Sequence, residues 1–379
     1  MINNIYLDYA STTPVKEKVL GAMLPFFTEH FGNASSAMHQ HGWYANGAIS
    51  KARKQVAKAL KCEESEIIFT SGATEGINQS IRSIYQLYHK KGNHIVVSKT
   101  EHKAVLDTVK DLEKKGAKVT YLEVNSNGLI DPKAFRLALK PETILAAVMW
   151  VNNETGVIQK VNQLSKIAFE QNIPFLCDGT QAIGKLPIDL QSNKIGIMPI
   201  SAHKFFGPKG IGALFIRRKN PRIALAPLLT GGGQEKKLRG GTLNTPGIIG
   251  LGEAIELASK NISKSNKRIQ EIKTSFKNFF NHYKAIFNEA EGYTSQHILN
   301  VIIPGVKASN LIKKTRDLSY SLGSACTSET LAPSHVLTAM GISKEDCFSS
   351  FRLSFSDSIS DEEIKIAQNI LKESIESLK

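Results

Sequence analysis

Short apolar segments alternate with helical patterns through the middle of the chain, and this alternation restricts the fold more than any other feature. We predict strands at 66–70, 94–98, 118–124, 143–151, 173–178, 195–201 and 210–217, with helices between the first five. Such alternation is typical of an α/β fold whose mostly parallel sheet has helices on both faces. The loop between the last two strands is too short for a crossover helix, which predicts one antiparallel strand.

The pattern changes from about Thr245. A Lys-rich helical pattern covers 246–285, strands are predicted at 297–305 and 349–356, and Ser360 caps a C-terminal helix. The strand at 349–356 alternates as if half-buried. We predict a large domain at 15–245 and a smaller α+β domain formed by 1–14 and 246–379.

Composition excludes several classes of protein. The longest uncharged apolar run, residues 144–151, is far shorter than the ~20 residues that cross a membrane. The N-terminus has no signal-peptide pattern, so we expect a soluble, cytoplasmic protein. The net charge of +14 comes from scattered basic residues without a nucleic-acid-binding signature, so we expect no sequence-specific nucleic-acid binding.

The cysteines are few and unevenly placed. Cys62, Cys177 and Cys347 stand among residues that predict packing, and no Cys-x-x-Cys or Cys–His spacing predicts a metal site. Cys326 differs, because it stands in "GSACTSE" among small residues with no apolar side chain to cover its sulfur. That setting favours chemistry over packing.

Chemically active side chains follow several predicted strands. His102, Asn153, Asp178 and the pair His203–Lys204 each come after a different strand. In open α/β sheets the carboxyl ends of the strands form the ligand-binding edge. Any one of them alone is as well explained by a helix cap or a solvated charge, but together they predict a site.

After the first strand, "SGATEG" at 71–76 opens a helix. Its backbone N–H groups and the hydroxyls of Ser71 and Thr74 are suited to a phosphate, although a simple capped helix start explains the pattern equally well. Pyridoxal 5'-phosphate (PLP) needs a lysine, an acid for its ring nitrogen and a phosphate-binding loop, which is the set found here.

The ordered motifs "YLDYASTTP", "FTSGATEG", "SKTEHKAVLDT", "VNNETGVIQ", "DGTQAIGKLPIDL", "SAHKFFGPKGIGALFIRR" and "LGSACTSE" resemble those of the cysteine desulfurases. These are PLP-dependent enzymes of the class V aminotransferase family, and the likeness to the IscS/NifS-like group extends over nearly the whole chain. It implies the PLP-dependent transferase type I fold, with the cofactor in the large domain and the cysteine loop and substrate arginine in the small one.

The resemblance also implies roles for particular residues. Lys204 would form the Schiff base with PLP, Asp178 would pair with the ring nitrogen, and Gln181 would bind the phenolic oxygen. His102 would stack on the ring and move protons. The remaining implied contacts are Ala73, Thr74, Ser201, His203 and a partner subunit's Thr242 to the phosphate, and Asn153 and Arg352 to the substrate carboxylate.

The resemblance gives Cys326 a role as the nucleophile that takes sulfur from L-cysteine, leaves L-alanine and carries a persulfide. It implies a homodimer and a sulfur-acceptor protein, either an iron–sulfur scaffold or a tRNA-thiolation protein. The chain ends at "ESIESLK", before the tail that helps close relatives bind the scaffold, which leaves the acceptor open. A selenocysteine lyase or another class V lyase is the alternative enzyme, and an inactive partner-binding protein is the alternative outside catalysis.

Overall fold

The computed structural model describes residues 4–322 and 332–379, so Cys326 and its neighbours lie outside the described residues. The strands are β1 (Ile5–Tyr6), β2 (Ile67–Thr70), β3 (His94–Ser98), β4 (Lys118–Leu122), β5 (Thr143–Ala147), β6 (Phe175–Leu176), β7 (Ile197–Ser201), β8 (Gly212–Ile216), β9 (Ile286–Phe287), β10 (Ile298–Ile302), β11 (Leu318–Ser319) and β12 (Ser350–Ser354).

The helices are α1 (Glu17–Met23), α2 (Pro25–Thr28), α3 (Gln40–Leu60), α4 (Ala73–Leu87), α5 (Lys103–Glu113), α6 (Pro132–Ala138), α7 (Val161–Glu170), α8 (Thr245–Asn281), α9 (Ala308–Lys314), α10 (His335–Ala339), α11 (Lys344–Phe348) and α12 (Asp361–Glu376). Short 3-10 turns cover Glu64–Glu66, Ala202–Lys204 and Glu235–Lys237. Within the described ranges, no helix is both long and apolar enough to cross a bilayer.

Seven strands form the central sheet, in the order β2-β8-β7-β6-β5-β3-β4. β8 is antiparallel to both of its neighbours, and the remaining pairs are parallel, as the short loop before β8 predicts. The predicted α/β fold with a mostly parallel sheet is confirmed. Several strands are shorter than predicted. Residues 148–151 and 177–178 lie beyond the ends of β5 and β6, although Val148 and Trp150 still donate to the carbonyls of Leu176 and Asp178.

Apolar side chains cover both faces of this sheet. Along β3, Val96 belongs to one buried cluster, whereas Ile95 and Val97 belong to another. Helices α3 and α7 pack in the first cluster, and α4 and α5 pack in the second. Successive side chains of a strand point to opposite faces, so the uninterrupted apolar strands of the sequence follow from burial on both sides.

A smaller sheet, β12-β10-β9, lies in a separate apolar cluster. Leu7 belongs to this cluster, and β1 pairs in parallel with β11, so the N-terminal segment packs against the C-terminal part of the chain. Helix α8 joins the two cores: Leu251 packs in the large one and Phe276 in the small one. The exact division at residues 14–15 and 245–246 stays a prediction.

The burial predicted for the strand at 349–356 was wrong. All five residues of β12 are buried, including the polar Ser350, Arg352 and Ser354. One edge of β12 pairs with β10, while Asp8 and Ser321 form bridges to its other side. The polar residues of β12 therefore do not face solvent. Their side chains hydrogen-bond to other parts of the protein, as Arg352 does to Asp8.

Candidate active site

An open cleft of about 650 Å³ lies at the carboxyl edge of the central sheet, between the sheet and β12. Parallel strands end at this edge, so the loops after β2, β3, β5, β6 and β7 meet there. Eleven of the residues singled out from the sequence line the cleft: Ser71, Ala73, Thr74, His102, Asn153, Asp178, Gln181, Ser201, His203, Lys204 and Arg352.

Lys204 follows β7 directly, and its amine is held by the N-terminal segment. Nζ donates to the carbonyl oxygens of Ala10, at 2.7 Å, and Ser11, at 2.6 Å. Burial, followed by the nearby charge of Arg352, lowers the pKa of Lys204 from its ordinary 10.5 to about 8. A larger fraction of this amine is therefore neutral, and so nucleophilic, near neutral pH.

Asp178 follows β6 and presents its carboxylate to the cleft, while Cys177 before it lies in the core cluster. Oδ1 of Asp178 accepts from the backbone N–H of Thr180 at 2.9 Å and from its hydroxyl at 2.5 Å. These two donors fix the carboxylate and leave Oδ2 without a partner among the described residues. The arrangement suits a cationic ring N–H in the cleft.

His102 caps the N-terminus of α5. Its Nδ1 accepts from the backbone N–H of Ala104 at 3.1 Å, which assigns the proton of the neutral ring to Nε2. Surrounding protein lowers the pKa of His102, because it disfavours the imidazolium, although the charge of Asp178 opposes this shift. The ring is therefore kept neutral, with Nε2–H as its donor.

The junction of β2 with α4 has the form of an anion-binding loop. Gly72 has φ +156°, a backbone conformation that residues with side chains rarely adopt. A Cβ added to Gly212 would lie only 2.6 Å from the Cα of Gly72. The N-terminus of α4 begins at the next residue, with Ser201 of β7 beside it. Glycine lets the backbone approach closely here, so the free N–H groups of α4 and the Ser201 hydroxyl can contact one ligand.

His203 completes this end of the cleft. Its Nδ1 lies 3.1 Å from the hydroxyl of Thr12. Burial and the charge of Lys204 lower the pKa of His203 to about 4. At neutral pH the ring is uncharged and contributes a hydrogen bond to a ligand, with no positive charge.

Arg352 of β12 is held in place by residues far away in the sequence. Its Nη2 donates to Asp8 Oδ1 at 2.7 Å and to the hydroxyls of Ser11 and Ser321 at 2.8 and 2.9 Å. Nη1 donates to the carbonyl of Asn153 at 2.6 Å. Nε, which is fully buried, has no partner in the part of the chain that the structure describes.

The sequence reasoning missed the contribution of the N-terminal segment. "YLDYASTTP" was identified as a motif without assigned roles, yet Asp8 pairs with Arg352, and Ala10 and Ser11 hold Lys204. An aspartate within an apolar strand-like segment was the available signal. Thr242 is exposed and outside the cleft, so its predicted role in a partner subunit stays a prediction.

Residues on both sides of 323–331 are anchored near the cleft. Ser321 donates to Asp8 and lines the cleft itself. On the other side, the hydroxyl of Ser334 donates to Glu154 at 2.5 Å, and Nε2 of His335 lies 3.0 Å from the carbonyl of Glu101. Ser321 therefore lies at the cleft itself, and Ser334 and His335 contact residues that directly adjoin the cleft residues Asn153 and His102 in the sequence.

The donor set of the cleft fits PLP. It offers an amine of lowered pKa, a carboxylate with a free oxygen, a helix N-terminus beside a glycine, and the guanidinium of Arg352. These are the groups that a phosphorylated pyridinium aldehyde and an amino-acid carboxylate require.

Comparisons with known proteins agree with this chemistry. Residues 5–366 match the family described as aminotransferase class-V. The chain is 42% identical, over 376 residues, to "Cysteine desulfurase IscS" of Neisseria gonorrhoeae. The aligned region covers 99% of this chain and 93% of that protein. The protein of the same name from Dechloromonas aromatica is 44% identical over 379 residues, with the same coverage.

Solved structures give the same result. A "NifS-like protein" superposes with a TM-score of 0.92 at 33% identity, covering 99% of this chain and 100% of the other. "SspA in complex with cysteine" superposes with a TM-score of 0.83 at 37% identity, covering 93% and 98%. This chain therefore belongs to the class-V aminotransferase family of PLP-dependent enzymes, within the group of IscS/NifS-like cysteine desulfurases.

Proposed function

We propose that this protein uses PLP to convert L-cysteine to L-alanine and that it carries the released sulfur as a persulfide on Cys326. One observation carries the proposal: Lys204, Asp178 and Arg352 line one cleft, and so does Ser321, which is five residues before Cys326 in the sequence. The similar proteins named cysteine desulfurase, and the similar protein solved in complex with cysteine, support the choice of substrate.

The cleft residues would hold PLP in the roles that the family resemblance implies. Bound PLP would supply an electron sink for the α-carbon of the substrate. Asp178 would keep a proton on the ring nitrogen, and Lys204 would attach the cofactor and then accept or return a proton at the α-carbon. His102, neutral and protonated at Nε2, would pack against the ring and move a proton.

Arg352 and Asn153 hold the substrate carboxylate. Arg352 lines the cleft, and the second hydrogen of its Nη1 is uncommitted among the described contacts. That hydrogen would donate to a carboxylate oxygen of the substrate, and Asp8 fixes the orientation of the guanidinium plane. The N-terminus of α4 at Ala73 and Thr74, together with Ser201 and His203, would hold the phosphate, and Gln181 would donate to the phenolic oxygen.

The sulfur step needs a thiolate within reach of the cleft. Cys326 is five residues from Ser321, which lines the cleft, and five extended residues span at most about 18 Å. Its thiolate attacks the substrate sulfur, an S–S bond forms and the C–S bond breaks. The electron pair of that bond stays on the substrate β-carbon, which takes a proton and becomes the methyl group of alanine, so atoms and electrons balance.

We also propose that the enzyme is a cytoplasmic homodimer that passes sulfur to an acceptor protein. Large apolar side chains are exposed around α2 and α3, namely Phe27, Phe31, Met38, Trp43 and Tyr44. Exposed large apolar side chains that lie close together in the sequence are typical of a protein interface, and a second copy would cover them. Thr242, exposed on its own chain, would then contact the phosphate in the partner's cleft.

Mass spectrometry of the peptide that contains Cys326 tests the proposal. After incubation with L-cysteine, we expect this peptide to gain one sulfur atom and one equivalent of alanine to appear. Cys326→Ser should keep the cofactor absorbance and lose both products, whereas Cys62→Ser, a matched thiol removal away from the cleft, should keep both. Persulfide on another cysteine, or full activity of Cys326→Ser, would contradict the assignment.

A further inference from the structure

Lys185 is a buried lysine that the proposed reaction does not use. It is only 7% exposed and lies four residues after Gln181 in the sequence. The only acceptor for its amine among the described residues is Oε1 of Gln181. A buried lysine usually has a carboxylate partner, because burial of an unpaired ammonium is unfavourable.

The surroundings of Lys185 are cationic. Lys204 and Arg352 face it from the cleft, and His203 and His297 lie close enough for its charge to act on them. Helix α8 contributes only a neutral group, since Nδ2 of Asn266 donates to the carbonyl of Lys185. Burial, followed by the charges of Lys204 and Arg352, lowers the pKa of Lys185 from 10.5 to about 7.

This contact decides which way the amide of Gln181 faces. A protonated or neutral lysine donates here, so the carbonyl oxygen of the amide is turned toward Lys185. The NH₂ group is then turned the other way, where Nε2 donates to the carbonyl of Ala10 at 2.8 Å. Gln181 lines the cleft, and one hydrogen of its NH₂ remains for a ligand there.

The same carbonyl of Ala10 also accepts from Lys204. A chain of hydrogen bonds therefore runs from Lys185 through Gln181 and Ala10 to the amine that attaches the cofactor. Without Lys185, the buried Oε1 would lose its one donor among the described residues, and only the bond from Nε2 to Ala10 would then oppose a turn of the amide that brings its oxygen toward the cleft. An oxygen in that position would repel the phenolic oxygen of PLP.

We propose that Lys185 is a positioning residue that fixes the amide of Gln181 with its NH₂ toward the phenolic oxygen of the bound cofactor. The proposal rests on the proposed PLP chemistry of the cleft. Lys185 acts through Gln181 and does not itself contact substrate or cofactor.

The test is a pH titration of the absorption spectrum of the PLP-loaded protein, with Lys185→Met as the main variant. Fewer donors to the phenolic oxygen stabilise its anion less, so the cofactor keeps its proton to higher pH. Loss of one hydrogen bond predicts a rise of about 0.5–1 unit in the apparent spectroscopic pKa. Lys185→Arg, which keeps a donor, should titrate closer to the unmodified protein.

A double-mutant cycle shows whether Lys185 works through Gln181. Gln181→Met should raise the spectroscopic pKa by itself, and adding Lys185→Met should then change nothing further. Lys273→Met is the matched control, because Lys273 is another buried lysine, but it pairs with Glu289 and does not line the cleft. It should change stability without changing the titration.

An unchanged titration in Lys185→Met, or a full additional shift in the Gln181→Met background, overturns the proposal. If Lys185→Met does not fold, Gln181→Glu decides the question. It gives Lys185 a carboxylate partner and removes the NH₂ from the cleft, so an unchanged titration again overturns the proposal. A protein that binds no PLP at all would instead refute the proposed function, which keeps the two failures distinct.

Discussion

Removal of the Asp8 carboxylate is the sharpest test of how the cleft is held together. In Asp8→Ala, the buried guanidinium of Arg352 loses its one ionic partner among the described residues. The hydroxyls of Ser11 and Ser321 remain, but they carry no charge. The Nε–H, already without a partner, gives no compensation.

The magnitude follows from burial. The side chains of Arg352 and Asp8 are only 6% and 18% exposed, and removing one partner of a buried pair costs ~3–5 kcal/mol. The two remaining hydroxyls place the expected loss near the lower end, at ~3 kcal/mol. Glu170→Ala is the control. The side chains of Glu170 and its partner Arg136 are 40% and 50% exposed, and such exposed ion pairs contribute ~0.2–1 kcal/mol to the free energy of unfolding.

Two measurements check this prediction. Urea unfolding, followed by circular dichroism, gives the loss in the free energy of unfolding for both variants. Steady-state kinetics with L-cysteine should show a KM raised about tenfold or more in Asp8→Ala, because a misplaced Arg352 binds the substrate carboxylate less well. Asp8→Asn keeps an acceptor oxygen and should fall between the alanine variant and the unmodified protein.

Equal losses of stability in Asp8→Ala and Glu170→Ala would refute the reasoning, since they would show that burial adds nothing to this ion pair. A normal KM in a destabilised Asp8→Ala would separate the two claims. The pair would then stabilise the fold without orienting Arg352 for the substrate.

Two further predictions concern the cofactor site. A pKa of about 8 leaves roughly one in ten Lys204 amines neutral at pH 7, about 300-fold more than a pKa of 10.5 allows, so the rate of PLP capture by the apoprotein should rise with pH through a midpoint near 8. A stopped-flow midpoint above pH 10 would contradict this. Gly212→Ala places a Cβ 2.6 Å from Cα of Gly72 and should lower both stability, by ~1–3 kcal/mol, and PLP affinity in equilibrium titrations. Gly47→Ala, in α3 with no atom within 4 Å of the added Cβ, should instead stabilise the protein by ~0.5–1 kcal/mol, and a similar loss in both variants would disprove the steric argument.

The order of the sheet elements and most of the cofactor residues could be predicted from local patterns. Apolar segments such as residues 94–98 are buried on both faces, which gives them an unmistakable composition. Lys204 and Asp178 directly follow such strands, so their place at the binding edge depends only on where the strands end. The antiparallel direction of β8 follows in the same way from the length of one loop.

Contacts between distant parts of the chain could not be predicted in this way. Asp8 and Arg352 are 344 positions apart, and nothing in either local sequence indicates that they form an ion pair. The pattern of β12 was misinterpreted for the same reason, since its outer side is covered by the N-terminal segment and by Ser321. Lys185 likewise has no unusual feature in the local sequence, and only the tertiary structure shows that it is buried.

By itself, the sequence determined the alternation of strands and helices and the chemistry presented where the strands end, because both depend on residues that are neighbours in the chain. Only the tertiary structure decided how those groups are charged and oriented. The pKa of Lys204, the amide direction of Gln181 and the plane of Arg352 are set by burial and by partners from remote segments. Desolvation and hydrogen-bond geometry depend on distances in space, which the order of residues does not specify.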